Sequence, residues 1–303
     1  MDNNSDSGLG ARLGLILSMT IFGTIGLFVK WIPVPSSILA CLRGFIGAAF
    51  LMVFMLLTGK RINATEVKNN LLLLILSGAA IGFNWVLLFE SYKNTTVAVA
   101  TLCYYMEPVI VILASPFFFK EKLGLKKSFC CLIALAGMVL VSGILSSDKG
   151  AGANPVKGML LGLSAAVLYS AAVIMNKFMK SISAYTKTSI QLSVAALILV
   201  PYIAFTQDNP IAAVTSNSAK VLLLLFVVGI VHTGIAYALY FGCMEGLPAQ
   251  TIAIFSYIDP VVAILISTFV LKEGMDVISL IGAVMILGAT AASEVSLKRN
   301  TGK

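Results

Sequence analysis

"YYMEP", residues 104–108, and "SYIDP", residues 256–260, each set a carboxylate and a proline inside a long apolar run. The two stretches lie 152 residues apart, and twelve residues after each proline comes the same pair, Lys120-Glu121 and Lys272-Glu273. At that offset Gly82 and Phe89 also fall on Gly234 and Phe241; at an offset of 147, Phe22 and Lys30 fall on Tyr169 and Lys177. The order reads as a duplicated unit, with an acid in each copy where charge is most expensive.

The surrounding composition says what medium these acids sit in. The chain has 303 residues, 59% hydrophobic and 11% charged, with a mean hydropathy of +0.98. Soluble domains carry about 25% charged residues, so a soluble enzyme core is excluded and a membrane protein expected. The net charge of +8 does not call for a nucleic-acid partner, because membrane proteins gather Lys and Arg in loops that stay inside. The start "MDNNSDSGLGA" is polar and acidic. It lacks the basic start and small-residue cleavage site of a signal peptide, so the first apolar run is expected to be retained. The five cysteines (Cys41, Cys103, Cys130, Cys131, Cys243) lie in apolar segments without metal-ligand spacing. They read as small core residues, and neither a metal nor a cofactor is expected.

A membrane-crossing helix needs about 20 apolar residues at 1.5 Å rise. Ten runs qualify: 11–30, 36–58, 70–91, 97–119, 126–146, 157–177, 185–206, 219–242, 249–271 and 277–296. They are too long and too continuously apolar for barrel strands. The expected fold class is therefore an all-α integral membrane protein. It would have ten transmembrane helices in two five-helix repeats, 11–146 and 157–296, joined by a Gly- and Ser-rich linker at 147–156. Five is an odd number, so the second repeat must be inverted relative to the first. With the N-terminus inside, 14 Lys and Arg fall in inner segments and 6 in outer ones, Arg43 lying within a span. That bias predicts a cell-membrane protein with both termini cytoplasmic. The stretch 206–220 is the longer outer loop, with room for a short interfacial turn.

Two five-helix units, a proline in the fourth helix of each, and an acid at that helix's end resemble the drug/metabolite transporter superfamily, EamA branch. The resemblance covers residues 11–296. Where the family pattern often has Gly before the helix-end acid, this chain has Lys120 and Lys272. The resemblance implies a carrier with alternating access and a central cavity bordered by helices 1, 3, 4, 6, 8 and 9. Its substrates would be amino acids, other small metabolites or drugs.

Glu107 and Asp259 are each the eleventh residue of their runs, close to mid-span. A charge there costs at least ~2.5 kcal/mol and normally faces a cavity or a partner. One reading has the acids carry a proton or hold the ammonium of a substrate. The other has them close a hydrogen-bond network beside the proline. Pro108 cannot donate to the carbonyl of Tyr104, nor Pro260 to that of Ser256, so a kink is expected in each helix. Helical spacing puts Tyr104 on the face of Glu107 and Ser256 on that of Asp259. Tyr105 and Tyr257, about 200° round from the acids, are expected to pack structurally.

Other polar residues inside the runs invite the same question. Arg43 reads as a structural cation paired with a distant carboxylate. His232 is a satisfied core residue or a proton carrier, and no metal ligand when alone. Asn84 and Trp85 with Tyr237 and Tyr240 could line an aromatic, partly polar cavity. "GAAIG" (78–82) and "GMLLG" (158–162) read as helix-packing faces. Glu121 and Glu273 read as tethers between helix ends.

The leading reading is a secondary transporter for a small organic metabolite, an amino acid or similar, with export the first guess. It would be coupled to protons or a counter-substrate, and work as a monomer or homodimer. Rival readings are a membrane enzyme acting on a lipid or isoprenoid carrier, and a non-transporting sensor. The chain has no Gly-rich loop ending in Gly-Lys-Ser/Thr and no room for an ATPase domain.

Overall fold

A computed structural model describes residues 3–120, 124–141, 153–244, 247 and 249–294. Glu121, Lys122, most of the 147–156 linker and the C-terminal Lys298, Arg299 and Lys303 lie outside the described residues.

Among the described residues the chain is helical throughout, without a strand. The first half comprises α1 (Asn3–Gly23), α2 (Ile25–Trp31), α3 (Ser36–Leu57), α4 (Ala64–Asn69), α5 (Leu71–Asn94), α6 (Val97–Tyr104), α7 (Glu107–Phe119) and α8 (Leu125–Val141). The second half begins with α9 (Pro155–Phe178), α10 (Ala184–Thr206), the short α11 (Ala212–Thr215) and α12 (Ala219–Gly229). A π-helical segment (Ile230–Ile235), α13 (Ala236–Met244), α14 (Ala249–Ser256) and α15 (Ile258–Leu265) follow; a second π segment (Ile266–Val270) and α16 (Val277–Glu294) close the chain.

Among the described residues, seven stretches are long and apolar enough to cross a membrane: Leu9–Trp31, Ser36–Leu57, Leu71–Asn94, Val97–Phe119, Pro155–Phe178, Ala184–Thr206 and Ala219–Met244. Shorter apolar helical stretches run over Ile254–Val270 and Val277–Ser293. Large apolar side chains such as Leu57, Phe117, Leu125, Phe205 and Phe269 are exposed on the outside. A soluble monomer rarely shows that much apolar surface, and lipid is the solvent that suits it. The short α11 sits in the expected outer loop, whereas α4 is a helical turn that no apolar run announced.

The helices of the two halves pack against each other in matched ways. The helix α1 lies along α13 and α15 and α2 meets α5 and α12, while α9 lies along α5, α6 and α7. The helix α3 meets α12 and the π segment after it, and α10 meets α5. Two contacts join elements at equal places in the two halves, α3 with α10 and α8 with α16, and α6 of the first half meets α15 of the second. The α8–α16 seam closes at two glycines: a methyl on Gly137 would lie 2.7 Å from Gly282 O, and one on Gly282 2.6 Å from Gly137 O. The "GAAIG" glycines seat α5 on α10 at Gln191, Val194 and Ala195; those of "GMLLG" seat α9 on Thr95, Ser91 and Cys103. Both stretches therefore are the close-packing faces expected of small residues in a membrane.

Candidate functional site

The helices carrying the two acids are broken, not merely kinked. In the first copy α6 ends at Tyr104 and α7 starts at Glu107, with Tyr105 and Met106 between them. In the second, α14 ends at Ser256 and α15 starts at Ile258. Each proline thus lies in the first turn of a new helix, where a missing N–H costs nothing. The residue before a proline resists the α conformation, which favours breaking the helix just ahead. Glu107 and Asp259 sit in those first turns, where the helix dipole favours negative charge.

Both acids line one cavity of about 450 Å³. Within it the structure brings together Tyr104, Ser256, Trp85, Tyr237, Arg43, Pro108, Tyr105 and Tyr257 with the two carboxyls. Its volume is that of a site for a small organic ligand. Aromatic rings make much of the wall. Tyr104 and Tyr169 stand 5.5 Å apart between centroids, Tyr105 and Tyr257 6.4 Å, and Phe22 and Tyr237 5.1 Å.

Tyr105 departs from the packing role read from its helical angle. Its hydroxyl donates to Asp259 Oδ2 over 2.8 Å and lies 3.3 Å from Ser256 O, tying the break of one half to that of the other. The helix break changes the angle on which the packing argument depended. Arg43 corrects a second expectation, because among the described residues it forms no ion pair. Its Nε donates to Thr233 Oγ1 over 2.9 Å, and the guanidinium sits 4.1 Å from the Trp85 ring centre and 5.5 Å from that of Phe89.

Two candidate site residues lie off the cavity wall. Asn84 is sealed between α5 and α9, its Nδ2 donating to Ala165 O over 2.6 Å. His232 is buried in the first π segment, with Nε2 2.8 Å from Thr24 Oγ1 and its ring edge-on to Phe28. The satisfied-core reading of this histidine is the one the geometry matches. Pro260 is likewise buried and off the cavity wall.

Sequence reasoning missed Tyr92, Thr101, Met19 and Met244 on the wall. Phe22 and Tyr169 also line it. They are the matched pair of the 147-residue offset, a signal that could have marked them.

A charged network off the cavity wall centres on Glu273. Lys30 Nζ pairs with Glu273 Oε1 at 2.8 Å and donates to Thr95 O at 3.0 Å. Glu273 Oε2 accepts from Val97 N at 2.8 Å and from Ser267 Oγ at 2.6 Å. The expected tether at Glu273 is thus present and joins α2, the start of α6 and the end of the second π segment. At the matched positions Lys120 and Lys272, the backbone turns left-handed, with φ 55° at both. Tyr240, Met244 and Ile252 also line the cavity.

The model of the EamA-like transporter family matches this chain twice, over residues 10–143 and 156–293. The chain belongs to the EamA-like transporter family. Among its relatives, a Bacillus subtilis (strain 168) protein named Uncharacterized transporter YxxF is 31% identical over 293 residues, covering 97% of this chain and 91% of its own. Protein PecM of Dickeya dadantii (strain 3937) is 26% identical over 262 residues, covering 86% and 84%. A solved crystal structure superposes with a TM-score of 0.65 at 21% identity, covering 94% of this chain and 97% of its own, a likeness of fold. This EamA-like chain is thus a multi-pass membrane protein of a transporter family, and the family and its relatives' names point to transport, not catalysis.

Proposed function

We propose that the chain is a secondary transporter that moves a small organic metabolite, an amino acid or similar, by alternating access between two inverted five-span repeats. The observation that carries this reading is the single cavity lined by Glu107 of one half and Asp259 of the other. In secondary carriers, sites lie near the midplane where repeats meet, at broken helices.

Ten spans, 11–146 and 157–296 holding five each, account for the pairing of helices. Exchanging the halves turns the α9–α5 contact into the contact of α1 with α13, and α9–α7 into α1–α15. The exchange reaches single residues: Gly23 packs on Asp259 O, and its counterpart Ser170 donates to Glu107 O over 3.2 Å. Two separate family matches, one per half, support the duplication. With both termini cytoplasmic in the cell membrane, Lys30 and Glu273 lie toward the outside and Met244 and Ile252 toward the inside, and export is the first direction to test.

The acids supply the means of coupling, either by carrying protons or by holding a counter-substrate in turn. Counterflow in proteoliposomes against a panel of amino acids, polyamines, nucleosides and vitamins tests the reading. A carrier speeds exchange when solute is present on the far side; an enzyme or a sensor does not.

A further inference from the structure

We infer that Arg43 is the seat of a carboxylate on the transported solute, so that the substrate is a small zwitterion held between Arg43 and the carboxyls of Glu107 and Asp259. This rests on the carrier reading and deepens it. Arg43 is only 5% exposed, in the middle of α3, yet its side chain lines the cavity. Thr233 Oγ1 takes its Nε, and that hydroxyl is fixed in turn by donating to Val228 O over 3.1 Å. Among the described residues no carboxylate lies within ion-pair distance of it, and Asp259 Oδ2 is engaged by Tyr105. Among the same residues its two terminal nitrogens meet no acceptor, and they are not among the sealed polar atoms.

A buried guanidinium left so is costly, and an anion arriving with the solute removes the cost. The edge that remains carries two parallel N–H donors, which match a planar carboxylate. Trp85 holds the plane in place, so little freedom is lost when the anion docks.

The charges on the wall decide the rest. A solute bearing only positive charge would be drawn by the acids and repelled by Arg43. One bearing only negative charge would meet the reverse. A zwitterion satisfies both ends, and the rings of Tyr104, Tyr169 and Tyr237 offer its ammonium group and apolar body favourable faces.

The test uses the purified full chain in detergent with three probes of one size: L-phenylalanine, phenethylamine and 3-phenylpropionate, measured by calorimetry. Phenylalanine should bind, and each analogue lacking one charged group should bind about tenfold to a hundredfold more weakly. In Arg43→Gln, and to a lesser degree Arg43→Lys, phenylalanine should fall toward the amine while the amine itself is unchanged or improved. Phenethylamine binding as tightly as phenylalanine in the unaltered protein overturns the inference without any variant having to fold. So does failure of all three to bind. Counterflow on the same preparation separates the layers: exchange of some solute with unchanged affinity in Arg43→Gln sinks the arginine's role and leaves the carrier standing, whereas no exchange of any solute removes the carrier reading beneath it.

Discussion

Tyr105 and Asp259 stand 154 residues apart in the chain and 2.8 Å apart in space, the phenol donating to the carboxyl across the meeting of the two halves. The contact joins the two helix breaks directly. Movement of one half against the other must therefore lengthen or re-aim it.

Removing that donor should be felt in transport. Tyr105→Phe is expected to slow counterflow about ten- to a hundredfold, the range that one hydrogen bond to a charged group supplies. Asp259→Asn should slow it too, and the double variant should be little worse than the slower single one, since both remove the same contact. Effects that multiply instead would show the two residues acting independently.

Coupling through the acids has its own signature. If Glu107 and Asp259 move protons, Glu107→Gln combined with Asp259→Asn should flatten the pH dependence of exchange while the protein still inserts normally. An unchanged profile rules out proton coupling through them and leaves counter-substrate exchange. His232→Gln serves as the control, because that ring is sealed against Thr24 and Phe28 and should leave the profile alone.

The Lys30–Glu273 network ties α2 and the start of α6 to the chain after the second π segment, and if it acts as a latch on the outer side, weakening it should open that side. Glu273→Gln loses the ion pair but can still accept from Val97 N; Glu273→Ala loses both. Both partners are partly exposed, so the destabilisation should be about 1–2 kcal/mol, less than for a fully buried pair. Thermal melts in detergent should rank wild type above Gln above Ala. In a cysteine-free background, a cysteine at Thr101 should label faster from the outer side in the Ala variant; equal rates would deny the latch.

Close backbone approach sets a third kind of limit. Gly23→Ala would place its methyl 2.5 Å from Asp259 O and 2.7 Å from Val262 Cβ. Backbone cannot swing aside as a side chain can, so a loss of about 1–3 kcal/mol is expected. Exchange should slow as α1 is pushed off α15. A variant as stable and as active as the parent would mean that α1 does not ride on α15 during transport.

Orientation is checked most simply. Reporter fusions active only in the cytoplasm should work at both ends of the chain. Activity at one end alone would contradict an even number of spans.

Much of the cavity was legible before any tertiary contact was known. Glu107 and Asp259 stood out because charge at mid-span is costly, and Tyr104 and Ser256 followed from helical spacing. Asn84 beside Trp85 shows where that reasoning stops. Neighbours on one helix differ by about 100°, so one faces the cavity and the other Ala165 O. His232 was open to two readings for the same reason, and its contact with Thr24, 208 residues away, could not be read from its own helix.

By itself, the order of residues determined the membrane class, the recurrence of one pattern in both halves, and the place of an acid before a proline in each. Each follows from local rules of apolar length, spacing and charge that need no partner. Only the tertiary structure decided that Tyr105 reaches Asp259, that Arg43 has Thr233 and Trp85 for company and no carboxylate, and that the acids share one chamber. Those outcomes depend on how helices from distant parts of the chain dock, and periodicity tells which side chains share a face, never what that face will meet.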